Sequence, residues 1–274
     1  MIMLLLEHVL KQVIQETYPD KKIYQDFTIR IVPKELKSKH GQYIQNDRKI
    51  EIYNLSRAPG ANFLTALHEV AHHIEAMDFG ETAHKETFYV RFYPLVCTAL
   101  NKGYINQEDL LLDRQDSSDY KKLCHYYGSS FAQDYTEAKQ RNTVVVSNAY
   151  NARVLLKRRD FSYLSGQYIW LRKFENEEQA IKEQKILESF NQNLDVRVVP
   201  VLDPIFIQTY YVAVPGAYQY REVLRKEGFI WNGYGFKSAW VKKLPSTDYL
   251  KVCSFLKEHR LTGKKVIPKM LSNN

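Results

Sequence analysis

The chain has 274 residues, 45% hydrophobic and 26% charged, which is ordinary for a globular protein and enough for one large core or two modest ones. No stretch approaches the ~20 apolar residues of a membrane span. The apolar opening Met1-Ile2-Met3-Leu4-Leu5-Leu6 is too short for a signal-peptide core and has no basic segment before it, so a cytoplasmic protein without a membrane partner is expected. The net charge of +8 is unevenly spread: residues 1–140 carry 17 basic and 19 acidic side chains, whereas residues 141–274 carry 22 and 12. A basic surplus confined to one half suggests polyanion binding there, against the plainer reading of a solvated lysine-rich surface. The cysteines Cys97, Cys124 and Cys253 form no CxxC pair and fit neither a zinc ribbon nor a disulfide framework.

Residues 1–18 read as an amphipathic helix, with Leu6, Val9, Leu10 and Ile14 at helical spacing and Pro19-Asp20 as its stop. A strand is expected over 27–32, closed by Pro33, and a strand pair over 41–53. Pro59-Gly60 breaks the chain before a helix from Asn62 to Phe79, whose Phe63, Leu67, Val70, Ile74 and Met77 form a core-facing stripe. Asn62 is the expected N-cap and Gly80 the expected stop. Further helix is expected over 84–100, and mixed, mainly helical structure over 105–140.

The second helix carries His68-Glu69-Val70-Ala71-His72, an HExxH motif. Histidines four apart project from nearly one helical face and can share a zinc ion, and the glutamate between them is placed to act on a metal-bound water. That pattern reads as a zinc-dependent hydrolase. A third protein ligand is needed. Asp78 stands where a metzincin would place its third histidine, but Glu75 replaces the glycine that turns the chain there. Glu75, Glu81 and Glu86 are alternatives of the gluzincin kind. His84 is the best candidate, because it follows the Gly80 break and opens a new helical segment. His73 points about 100° away from His72 and is expected to be a bystander.

The HExxH, a short loop, then His84 with Phe88 four residues later resembles the SprT-like metalloproteases, which include the Spartan enzymes that digest proteins crosslinked to DNA. The resemblance covers roughly residues 25–100. Lys85 stands where that family usually has glycine, and the gap to His84 is slightly short. It implies a zincin-like domain over 1–142, Zn²⁺ held by His68, His72 and His84, and Glu69 as the catalytic base that moves a water proton to the leaving amine. The function it implies is a metalloendopeptidase acting on a protein substrate associated with DNA.

The second half contains an internal repeat. Val144–Tyr150 aligns with Val212–Tyr218 at an offset of 68, and Arg153, Leu156 and Phe161 meet Arg221, Leu224 and Phe229. Across 144–164 and 212–232, seven of 21 positions are identical. Trp170-Leu171-Arg172-Lys173 then pairs with Trp240-Val241-Lys242-Lys243, and Arg197–Pro200 with Lys265–Pro268. An ordered series of this kind means duplication. Each copy reads as strand, helix, two strands, helix and a short strand. The expected class is therefore α+β throughout, with small basic α+β modules at 143–204 and 205–274 behind the zincin-like domain.

Gly166 precedes Trp170, and Gly233 and Gly235 precede Trp240. Phe161, Phe229, Trp170 and Trp240 are expected in the core. The candidate nucleic-acid contacts are Lys157, Arg158, Arg159, Arg172, Lys173, Arg225, Lys226, Lys242 and Lys243. Two other readings compete: a cytoplasmic zinc peptidase whose modules grip a regulatory protein, and a nucleic-acid-binding or defence-interfering protein with a structural zinc.

Overall fold

The computed structural model of the chain describes residues 2–113, 119–128, 130, 139–165, 167–190 and 194–266. Gly166, Ile267, Pro268 and parts of the 105–140 stretch lie outside them. The structure is mixed α+β and divides into two compact units, Met1–Phe206 and Ile207–Asn274. Among the described residues, no helix is long and apolar enough to cross a membrane.

Helix α1 (Ile2–Thr17) buries Leu6, Val9, Leu10, Val13 and Ile14, the stripe its spacing predicts. Three short strands follow, β1 (Thr28–Ile31), β2 (Gly41–Ile44) and β3 (Lys49–Ile52), in the order β1-β3-β2. β1 runs parallel to β3 and β2 antiparallel to it. β2 is therefore an edge strand, and it lies against α2 (Pro59–Phe79).

Helix α2 starts a turn earlier than expected. Pro59 occupies its first turn, where a missing N–H costs nothing and the fixed φ is already helical. Asn62 is thus an interior residue whose N–H bonds the Ala58 carbonyl at 3.1 Å, and it is not the cap. The stop is as read: Gly80 adopts φ 77° and returns its N–H to the Ala76 carbonyl at 2.8 Å. Helices α3 (Glu86–Asn101), α4 (Gln107–Asp113) and α5 (Asp119–Tyr127) complete this part, and α3 packs on α2.

The rest of the first unit contains β4 (Thr143–Ser147), α6 (Arg153–Arg158), β5 (Ser162–Leu164), β6 (Ile169–Lys173), α7 (Glu177–Phe190), β7 (Asp195–Val199) and α8 (Asp203–Phe206). Its sheet has the order β5-β6-β4-β7. One face packs Val144, Val146 and Trp170 against Leu156, Phe161, Ala180 and Leu187. The opposite face, with Val145, Leu164, Ile169 and Leu171, is covered by Leu5 of α1. Lys173 Nζ also donates to the Tyr104 hydroxyl at 3.0 Å. These contacts tie residues 143–206 to the N-terminal part. The chain consequently divides at 206/207, and the change in charge balance near 141–143 falls inside the first unit.

The second unit holds β8 (Thr209–Pro215), α9 (Arg221–Lys226), β9 (Ile230–Trp231), β10 (Ala239–Pro245), α10 (Tyr249–Glu258) and β11 (Lys264–Val266). Its sheet runs β11-β8-β10-β9, the same arrangement read from the other edge. Here the second sheet face, with Ala213, Ala239 and Val241, is covered from within the unit by Tyr211 and Phe236. Phe161, Phe229, Trp170 and Trp240 are all buried.

Candidate metal centre

His68 and His72 stand one turn apart on α2, and the chain leaves that helix at Gly80 and returns His84 to them just before α3. The three Nε2 atoms form a near-equilateral triangle, with sides of 3.0 Å (His68–His72), 3.1 Å (His72–His84) and 2.9 Å (His68–His84). Three zinc ligands at about 2.0–2.1 Å and tetrahedral angles would stand about 3.3–3.4 Å apart, so the triangle is close to the size zinc needs. Among the described residues this is the only group of three or more His, Cys, Asp or Glu side chains whose ligand atoms converge. Phe88, fully buried, forms a floor beneath all three rings at centroid distances of 4.8, 4.4 and 5.2 Å.

The neighbours of these rings decide which nitrogen carries each proton. Asp119 Oδ2 lies 2.7 Å from His68 Nδ1. Burial acts to raise the Asp119 carboxyl, but His68 and the Tyr89 hydroxyl, which donates at 2.8 Å, outweigh it and hold the carboxyl below its usual range. An ionised carboxylate only accepts, so His68 Nδ1 bears the proton and its Nε2 a lone pair. Thr82 gives its only proton to Glu75 Oε2 at 2.7 Å, so its oxygen accepts from His72 Nδ1 at 2.6 Å. His72 Nε2 therefore also presents a lone pair. Two lone pairs 3.0 Å apart repel one another unless a shared cation lies between them. Burial, then the charges of His68 and His84, push His72 down to about 3, and burial likewise lowers His84. Imidazole lone pairs turned to one point, with a carboxylate behind His68 and a hydroxyl behind His72, make the donor set of a zinc site.

Glu75 is not a ligand. Its buried carboxylate accepts from Thr82 Oγ1 at 2.7 Å, Ala83 N at 2.9 Å and Thr87 Oγ1 at 2.6 Å, and so braces the loop that carries His84. Asp78 is engaged by the Tyr24 hydroxyl at 2.6 Å and by Arg91 at 2.6 and 2.8 Å. Glu81 and Glu86 are exposed and do not join the histidines.

Glu69 lines a cleft of about 460 Å³ together with the three histidines, the start of β2, Thr65, Phe92 and Asp119. Burial pushes its carboxyl up to about 7, against the opposing pull of His68 and a hydrogen bond from the Tyr43 backbone. β2 passes so close that a Cβ on Gly41 would lie 2.7 Å from Glu69 Oε1 and 2.6 Å from Thr65 Cγ2. His73 is buried on another side of α2, where its Nδ1 meets the Tyr43 hydroxyl at 3.0 Å and helps seat β2. His40 lines the cleft rim.

Sequence reasoning missed Asp119, Gly41 and Tyr43. Asp119 begins a short polar helix with no local motif, and only tertiary packing brings it behind His68. Gly41 is the first residue of β2, and a glycine within a strand was the one local hint of a close approach.

The basic candidates divide in two. Arg159 makes a two-point ion pair with buried Glu183 at 2.6 Å, Arg172 donates to the Arg159 carbonyl at 2.8 Å, Lys173 is half-buried against Tyr104, and Lys242 pairs with Glu227 at 2.8 Å. Lys157, Arg158, Arg225, Lys226 and Lys243 are exposed, and among the described residues none has an ion pair.

Comparison with protein-family models, curated proteins and solved structures gives no match.

Proposed function

We propose that this chain is a zinc-dependent metalloendopeptidase of the SprT-like kind, acting on a protein substrate associated with DNA. The observation that carries the reading is the triangle of Nε2 atoms, with the His68 and His72 lone pairs turned inward by Asp119 and Thr82. A structural zinc site closes with four protein ligands, whereas a catalytic one keeps a position open. Three ligands converge here beside a cleft that also holds a glutamate, which favours catalysis.

When bound, zinc would supply Lewis acidity, activating water and polarising the scissile carbonyl. Glu69 accepts the proton of the attacking water and returns it to the leaving amine. The Tyr43 backbone holds the Glu69 carboxylate in place. β2 is an edge strand lining the cleft, where an extended peptide would add alongside it.

The finer architecture we infer is a zincin-like domain followed by two copies of one basic module that recruits the enzyme to DNA or to a protein on it. The shared strand order supports duplication. So do left-handed backbone positions at matching sites: Asn148 and Gly216, Asp160 and Gly228, Tyr168 and Ser238.

The test measures zinc content and cleavage of a DNA-bound protein by the parent chain and by Glu69→Gln. Stoichiometric zinc in both, with cleavage only by the parent, is expected. Equal cleavage by both would overturn the mechanism, and an absence of zinc would overturn the site.

A further inference from the structure

We propose that an aromatic and cationic face repeated on the two four-stranded modules binds single-stranded nucleic acid. Bases would stack on Tyr150 in the first module and on Tyr218 and Trp231 in the second, with phosphates held by the neighbouring arginines. The inference rests on the reading of the basic modules as recruiting elements and adds the class of ligand.

Tyr150 and Tyr218 are 79% and 62% exposed, so neither ring serves the core. Both sit in the 3-10 turn that leads into the short helix of their module. The Arg153 guanidinium lies over the Tyr150 ring at 5.4 Å, and Arg221 lies over Tyr218 at the same 5.4 Å. Surface neighbours differ between the copies, Asn151 against Gln219 and Val154 against Glu222. The tyrosine–arginine pair recurs with its geometry intact, although folding makes no demand on it.

In the second module Tyr218 is in edge contact with a second exposed ring, Trp231, at 6.1 Å, and Trp231 rests on buried Trp240 at 5.5 Å. Arg225 stands 5.7 Å over the Trp240 ring. Trp231 is 38% exposed, whereas Trp170 and Trp240 are buried. The exposed cations Lys157, Arg158 and Lys226 lie on the same short helices, α6 and α9.

Exposed rings interleaved with arginines match a ligand that offers flat π faces and a regular line of negative charge. A duplex keeps its base faces stacked and out of reach. An acidic peptide offers carboxylates but no such faces. Single-stranded nucleic acid has both features.

The experiment uses the full-length Glu69→Gln protein, so that proteolysis does not intervene, and a fluorescent oligothymidylate of about 20 nucleotides. Binding should quench tryptophan emission, and Trp231→Phe should remove the quench. Tyr150→Ala and Tyr218→Ala should each weaken binding by about 5- to 150-fold. Arg221→Ala should flatten the salt dependence by about 0.7 in the log–log slope, the value for one lost single-strand phosphate contact. A duplex of equal length should bind more weakly, and polyglutamate should compete poorly. Unchanged affinity in the tyrosine variants would overturn the proposal, as would duplex binding as tight as the single strand. Equal competition by polyglutamate would overturn it in favour of an acidic protein. Because the readout is binding alone, the absence of zinc or of cleavage in the parent chain leaves this result unaffected.

Discussion

Glu75→Ala isolates the brace that returns His84 to α2. In the parent chain one buried carboxylate accepts three hydrogen bonds, from Thr82, Ala83 and Thr87, at 2.6–2.9 Å. A hydrogen bond to a charged group contributes about 1.5–3 kcal/mol. Ala83, on the loop, and Thr87, in the first turn of α3, are both exposed, so water can replace the lost acceptor and the three losses do not add in full. A loss of folding stability of about 2–4 kcal/mol is expected in the metal-free protein. The substitution also releases the Thr82 proton that oriented His72 and loosens the segment carrying His84. Zinc affinity should therefore fall about 10- to 100-fold, the usual effect of removing a partner that orients ligands. Stability would be read by urea unfolding in chelator, and affinity by competition with a chromophoric chelator. A double-mutant cycle with His84→Ala should show a coupling of at least about 1 kcal/mol in zinc binding. Additive losses, or zinc affinity unchanged in Glu75→Ala, would refute the brace.

Two further substitutions probe the other neighbours of the site. Asp119→Ala removes the acceptor behind His68 and should weaken zinc binding about 10- to 100-fold, with Asp119→Asn milder because its amide oxygen still accepts from Nδ1. Affinity within about twofold of the parent in Asp119→Ala would show that His68 needs no orienting partner. Gly41→Ala forces a methyl group into the contact between β2, Thr65 and Glu69. It should cost about 1–3 kcal/mol of stability. Cleavage should fall tenfold or more, about 1.4 kcal/mol of transition-state stabilisation, at full zinc occupancy, because Glu69 moves while the histidines do not. Loss of zinc in step with activity would contradict that separation.

Several features were legible along the chain because they depend on neighbours a turn or a strand pair apart. The helical stripe of α1, the HExxH face and the Gly80 stop are of this kind. Asn62 was misread as a cap because Pro59 is an equally local signal, and it starts the helix a turn sooner. Charge was countable in the basic clusters, but the pairing of Arg159 with Glu183 and of Lys173 with Tyr104 joins residues distant in sequence. No local rule separates those from Lys157 or Arg225.

By itself, the sequence determined the two histidines and the glutamate, since a helix of fixed pitch leaves residues four apart no choice but to share a face. It also determined the core aromatics of the modules and the excess charge of the second half. Only the tertiary structure shows that His84, and not Asp78 or the nearby glutamates, reaches His68 and His72, because that depends on the path of the chain after Gly80 and on the carboxylate of Glu75 that holds it. Only the tertiary structure brought Asp119 behind His68, set β2 over Glu69 and joined the first module to α1 through Leu5. Each of those contacts is made across elements whose order along the chain does not determine their distance in space.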